Sequence, residues 1–177
     1  NNDNKGTKIH NVAAGTLGND AANVAQVKEL VDTAKIHYYS VKSTNQNNYD
    51  NDLATGDDSM AAGVGAKALG DRSVALGNNT EAQSLGSITV GSGYEDPDNP
   101  GSLKQTLAIS GYQYNMAIGA GAQAAGNNSL AIGTLATSSI KNGGSSVDKA
   151  VAIGYSAGVS DDKAIAIGSD AKSNSKS

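Results

Sequence analysis

The sequence predicts a mainly β chain, a parallel β-roll of 14-residue repeats behind a short N-terminal coiled coil. Three observations carry that reading. The 177 residues include 22 Gly but no Phe, Trp or Cys, and the 38% hydrophobic fraction is largely Ala. A five-residue motif returns at a spacing of 14. Near the N-terminus, Val24, Val27, Val31 and Ala34 follow a heptad seam.

Composition sets the frame. Ala buries little apolar area, at about 25 cal/mol per Å², so stability has to come from repetition and from association between chains. The net charge of −4 and a sequence pI near 5.0 leave no electrostatic footprint for nucleic acid. The lack of Cys excludes disulfides and thiolate metal sites, and suits a chain exported unfolded. The sequence shows no signal peptide and no run of about 18 apolar residues, so no membrane contact by this fragment is expected.

The motif is small or polar, apolar, Ala or Thr, apolar, Gly. It reads Ser59-Met60-Ala61-Ala62-Gly63, Ser73-Val74-Ala75-Leu76-Gly77 and Ser87-Ile88-Thr89-Val90-Gly91. It returns as Asn115-Met116-Ala117-Ile118-Gly119 and Ser129-Leu130-Ala131-Ile132-Gly133, then as Ala150-Val151-Ala152-Ile153-Gly154 and Ala164-Ile165-Ala166-Ile167-Gly168. Thr106-Leu107-Ala108-Ile109-Ser110 reads as a divergent eighth copy. Alternation makes each copy a strand, and Gly ends it in a turn. A second short strand follows around Ala66–Ala68, Thr80–Ala82, Ala122–Ala124 and Ala171-Lys172. Two strands per repeat make one coil of a narrow roll, and eight coils spaced about 4.8 Å apart span about 40 Å. Ala fills the thin interior. The large residues need burial against neighbouring chains, because an exposed ribbon of them would aggregate.

Two gaps, near 93–105 and 138–149, have loop composition and should protrude. The next copy is due just past Ser177, as in an array that continues. Upstream, Asp20 is placed to cap a helix starting at Ala21. β-branched residues at both seam positions favour trimers, and so short a helix implies partners. Ile36 to Val41 reads as a strand, and Thr44 to Asp58 as a polar loop. The division is a neck with a short trimeric coiled coil over 1–36, a connector with one strand over 37–58, and head repeats over 59–177.

These segments resemble a known family. Lys8 to Thr16, followed by Asp20 to Val27, is similar to the neck motif of trimeric autotransporter adhesins, through Asn11, Val12, Gly15, Thr16, Asp20, Asn23, Val24 and Gln26. Ala22 and Val27 depart from it, standing where Val and Leu are commoner. The Ser-Val-Ala-Leu-Gly repeats resemble YadA head repeats. The resemblance implies a homotrimer of left-handed parallel β-rolls on the surface of a Gram-negative bacterium. The outer-membrane anchor would lie outside this chain, and a further head or stalk would lie upstream. It implies a non-enzymatic adhesin, without cofactor, that binds a host cell receptor, an extracellular matrix protein or other bacteria. The alternative is a spacer module of a longer fibre with no ligand of its own.

The residues expected at the trimer interface are Val24, Val27 and Val31 in the neck. In the head they are Val74, Leu76, Ile88, Val90, Ile118, Ile132, Ile153 and Ile167. For partner binding the expectation falls on Tyr94, Glu95, Asp96 and Asn99 in the first insertion, Lys141 in the second, and Tyr112, because loops on rigid scaffolds carry recognition.

Several sharper motifs dissolve into the repeat. Gly63 to Ala68 and Gly119 to Ala124 match G-x-G-x-x-A, but a turn and strand follow where a dinucleotide fold needs a helix. Glu95, Asp96 and Asp98 match no Ca²⁺ loop. His10 and His37 have no nucleophile or second ligand at a useful spacing. The Asn-x-Thr and Asn-x-Ser sequons at Asn78 and Asn127 fall on turns, where Asn is expected. A polysaccharide-acting β-helix enzyme would need carboxylates along one face, and most strands carry none.

Overall fold

The computed structural model describes residues 9–34, 41–44, 47–138 and 147–173. It falls into two compact units, residues 1–40 and 41–177.

In the first unit the helix spans Val24–Thr33. It begins later than Ala21 because Asn23, not Asp20, caps it. The Gln26 N–H donates to Asn23 Oδ1 at 3.0 Å, and the Asn23 N–H donates to Gln26 Oε1 at 3.2 Å, a reciprocal capping box. Asp20 closes the turn before it, accepting from the N–H groups of Thr16 at 2.8 Å and Leu17 at 2.9 Å. These two bonds hold its carboxyl below the usual range, the Leu17 bond counting most. Gln26 also clips the preceding strand of chain. The Gly15 N–H donates to its Oε1 at 2.9 Å, and its Nε2 donates to the Gly15 carbonyl at 2.8 Å. Asn23 Nδ2 donates to the Val12 carbonyl at 3.1 Å. The polar residues of the neck motif thus fasten one segment to the helix start. The helix buries none of its residues within one chain, and Val24, Val27, Leu30 and Val31 all stand exposed. The strand expected over Ile36 to Val41 lies outside the described residues, apart from Val41, which is in no regular element.

The second unit is mainly β, two seven-stranded parallel sheets back to back. The front sheet holds the repeat motif in seven strands: Met60–Ala62, Val74–Asn78, Ile88–Ser92, Met116–Ile118, Leu130–Ile132, Val151–Ile153 and Ile165–Ile167. The back sheet takes Lys67–Ala68, Thr80–Ala82, Thr106–Ala108, Gln123–Ala124, Thr137–Ser138, Gly158–Val159 and Lys172–Ser173. The chain alternates between the sheets, one coil at a time. Met60, Val74, Ile88, Met116, Leu130, Val151 and Ile165 stack in one column. Stacking begins before Ser59, since Ala54 bridges in parallel to Ala68.

Alternation decides what lies inside. Ala75, Ala117, Ala131 and Ala152 of the front strands and Ala68, Ala82, Ala108 and Ala124 of the back strands are fully buried. The expected Ala interior is what the roll contains. Many copies begin with Ser because a short hydroxyl closes the turn. Ser87 Oγ donates to the Ser84 carbonyl at 2.7 Å, and Ser129 Oγ donates to the Gly126 carbonyl at 2.6 Å. The closing Gly of every motif but the last faces the coil above. A Cβ on Gly77, at φ +119°, would lie 1.8 Å from the Gly91 carbonyl oxygen.

One expectation is overturned. Thr106–Ala108 is no front-sheet copy. It pairs with Thr80–Ala82 and Gln123–Ala124 in the back sheet, and Ile88 stacks directly under Met116. The roll therefore has seven motif strands, not eight. The insertion enters within this coil, between its front and back strands, and happens to return the chain near the 14-residue schedule. Alternating Thr-Leu-Ala-Ile suits either sheet, so periodicity could not tell them apart.

Candidate functional site

In the coil carrying Val74–Asn78, Asn78 and Asn79 alone join Gly77 to Thr80. In the next coil, residues 92–105 fill the same gap. They form a hairpin in which Tyr94 pairs with Lys104 and Glu95 with Leu103, antiparallel. Its base is held to the roll. The Gly93 N–H donates to the Asn78 carbonyl at 2.9 Å, and Thr106 Oγ1 donates to the carbonyls of Ser92 at 2.8 Å and Gly119 at 2.6 Å.

The tip is organised by its own acids and prolines. The Asp98 N–H donates to Asp96 Oδ1 at 3.0 Å, an Asx turn. The Gly101 N–H donates to Glu95 Oε1 at 3.3 Å. The Asn99 N–H donates to the Asp96 carbonyl at 3.1 Å, and the Ser102 N–H to the Asn99 carbonyl at 3.0 Å. Pro97 and Pro100 have no N–H to satisfy.

The hairpin also rests on the coils that follow. A Cβ at Gly121 would lie 2.8 Å from Tyr94 Cβ, 3.1 Å from Leu135 Cδ2 and 3.4 Å from Lys104 Cβ. One at Gly93 would lie 2.6 Å from Leu103 Cδ1. Tyr94 is half-buried, and its hydroxyl is pushed above its usual pKa by desolvation, then by Tyr155, Asp96 and Asp98. Leu103 and Tyr155 are about half exposed. Leu135 sits at φ +58°, where other coils place Gly65, Asn79 or Gly121. A bulky residue in that conformation is unusual.

The structure divides the expected binding residues. Tyr94, Glu95, Asp96 and Asn99 are together on the hairpin. Tyr112 lies on the opposite edge of the roll, in the longer turn that leads from Thr106–Ala108 back to the front sheet. There the Ser110 N–H donates to Gln83 Oε1 at 3.0 Å, and the Tyr114 ring covers Gly86. Asn115 is buried and bridges the turn. Ser84 Oγ donates to its Oδ1 at 2.8 Å, and its Nδ2 donates to the Ala124 carbonyl at 3.3 Å. Lys141 lies outside the described residues.

The Tyr112 edge carries a stacked column of acids and amides. The Asp57 N–H donates to Asp71 Oδ1 at 3.1 Å, that of Asn127 to Asp148 Oδ1 at 2.9 Å, and that of Asp148 to Asp162 Oδ1 at 3.1 Å. These carboxylates hold coil to coil. Among the described residues, no group of three His, Asp or Glu is placed to hold a metal ion. Sequence reasoning missed Lys104 and Leu135 as neighbours of Tyr94. The available signal was the break in column: Leu135 and Tyr155 stand where other coils have small or polar turn residues.

The expected head-interface residues lie on one surface. Val74, Leu76, Ile88, Val90, Ile118, Ile132 and Ile153 are half-buried on the outer face of the front sheet, and Ile167, on the last strand, is more exposed. No insertion interrupts that ribbon.

A coiled parallel roll with an Ala interior, an outward apolar ribbon and ornamented turns defines a repeat-built presentation module. Compared with known families, residues 54–80, 116–136 and 148–171 match the YadA head domain repeat (2 copies). The second unit thus carries repeats of the YadA head type, the kind found in trimeric autotransporter adhesins. No curated protein and no solved structure gave a match. No helix among the described residues is long and apolar enough to cross a membrane.

Proposed function

We propose that this chain is an adhesin segment that attaches to a host cell receptor, a matrix protein or another bacterium through its head, with the 92–105 hairpin as the principal contact. One observation carries the reading. The hairpin is fastened at its base, across its tip and against two following coils, and it presents a Tyr and three carboxylates outward. A segment that only spaced apart other heads would gain nothing from such an ornament.

The reading includes a homotrimer. The front-sheet ribbon would pack about a threefold axis, with left-handed rolls, and Val24, Val27 and Val31 would form the seam of a coiled-coil neck. Support comes from exposure. The helix hides none of its valines, and the ribbon runs along seven strands with no covering element among the described residues. Ribbons of that extent rarely stay in water.

The test exchanges 92–105 for the Asn-Asn turn of the preceding coil and displays the protein on a non-adherent bacterium. Loss of attachment to host-cell monolayers or to partner bacteria, with the trimer intact by light scattering, is the expected result. Full attachment without the hairpin would move the contact to the Tyr112 edge. Attachment by neither form, with an upstream head supplying it, would make the segment a spacer.

A further inference from the structure

The hairpin and the coils beneath it make a surface of definite chemistry. Tyr94, Leu135 and Tyr155 form an apolar, partly aromatic ledge at one edge of the roll, Tyr94 and Leu135 meeting over Gly121 and Tyr155 close enough to act on the Tyr94 hydroxyl. Leu135 comes from one coil and Tyr155 from the next, so the ledge is made by tertiary stacking. Asp96 and Asp98 rim it, both acting on the Tyr94 hydroxyl. Lys104 is the one cation in the hairpin. Asp170 lies in the turn above Tyr155, its N–H donating to the Tyr155 carbonyl at 2.8 Å, and the nearby Lys172 Nζ is bonded to the Ser156 carbonyl.

We infer that this ledge docks an extended, cationic segment of a partner protein, an Arg or Lys flanked by an apolar side chain, with the apolar group on Leu135 and Tyr155 and the cation toward Asp96 and Asp98. This rests on the adhesin reading and names the partner's chemistry. Charge complementarity selects the occupant. An anionic surface would meet these carboxylates, whereas a guanidinium can reach a carboxylate and a tyrosine face at once. Two half-exposed tyrosines on a rigid support are the kind of group that dominates binding energy at interfaces. The tip's acids keep acceptor capacity, since Asp96 and Glu95 each receive one backbone N–H there and a carboxylate accepts several.

The experiment uses the whole chain, immobilised, and three versions of one 12-residue peptide with a Leu-Arg-Leu-Arg core, its Lys form and its Glu form. Binding is read by interferometry from 50 to 300 mM salt. The Arg and Lys forms should bind and the Glu form should not. Asp96→Asn with Asp98→Asn keeps the turn acceptor at Asp96, and should weaken binding at least tenfold and flatten its salt dependence. Tyr155→Ser, on a separate coil, should weaken it several-fold without altering the hairpin. Asp58→Asn with Asp71→Asn removes equal charge elsewhere and should change nothing. Equal binding of the Glu form, or equal loss from the Asp58 and Asp71 control, would overturn the inference. If hairpin deletion abolishes cell attachment while the Asp96 and Asp98 variant attaches as well as the wild type, the adhesin reading stands and the cationic partner falls.

Discussion

Gly133 and Gly168 share a backbone conformation, φ +125°, at the same place in two motifs, but they face different surroundings. A Cβ on Gly133 would lie 2.5 Å from the Gly154 carbonyl oxygen, while one on Gly168 would meet only Ala171 Cβ, at 3.9 Å. Replacing each by Ala therefore separates two costs. Both variants suffer the left-handed strain of an L residue, about 1–2 kcal/mol. Gly133→Ala must also push two coils apart. The Gly154 N–H to Ile132 carbonyl bond, 2.8 Å, and the Ser156 N–H to Thr134 carbonyl bond, 2.9 Å, span that junction. At about 1 kcal/mol net for each weakened bond, the extra cost is about 2 kcal/mol. For a chain of this size that difference amounts to roughly 4–8 °C in melting temperature. Thermal melting by circular dichroism, with hydrogen exchange at residues 151–156, is the assay. The expected order is wild type, then Gly168→Ala, then Gly133→Ala. Equal melting of the two variants would refute the idea that coil contact, and not turn conformation alone, demands glycine in this row.

Four further outcomes follow from the same geometry. Ala131→Leu, in a fully buried site between sheets, should overpack the roll and cost about 1–3 kcal/mol or more, whereas Ile132→Ala on the outer face should act mainly by weakening the proposed trimer, seen as a melting point that falls on dilution. Asn23→Ala removes the helix cap and should lose about 1 kcal/mol of helix stability, read by circular dichroism of the chain. Asp20 has a lowered pKa in the folded state, so its stabilisation of the turn is complete above the unfolded value, about 3.9, and fades as pH falls through the lower folded value. Amide shifts of Thr16 and Leu17 should report that loss, and Asp20→Asn should abolish the pH dependence. Asn115→Ala should leave Ser84 Oγ without its acceptor and destabilise the Tyr112 turn by about 1–3 kcal/mol, read as faster exchange of the Tyr114 amide.

Much of the fold was legible without coordinates, for a physical reason. A coil in a roll contacts chiefly its neighbours, so a local pattern repeated at fixed spacing states its own long-range pairing. Small residues at alternate positions announced a thin interior, and Gly at the motif's end announced a turn. The helix start was misplaced because Asp20 and Asn23 are both good caps. The choice turned on Gln26 reaching back to Asn23 and Gly15, which spacing alone does not order.

The candidate site was legible in part. Loop composition marked the first insertion, and Tyr94, Glu95, Asp96 and Asn99 do gather there. Tyr112 stands on the opposite edge from them, because distance along the chain does not say on which edge a turn emerges, and Lys141 lies outside the described residues. The Thr106 motif failed for the same reason, since a strand that alternates can serve either sheet. The sequence by itself determined the repeat, the Ala interior and the outward placing of Val, Ile and Leu, because period-two alternation and side-chain size settle those locally. Only the tertiary structure decided which strand enters which sheet, and that Leu135 and Tyr155 lie beside the hairpin, because those relations are made by stacking coils whose separation along the chain the insertions alter.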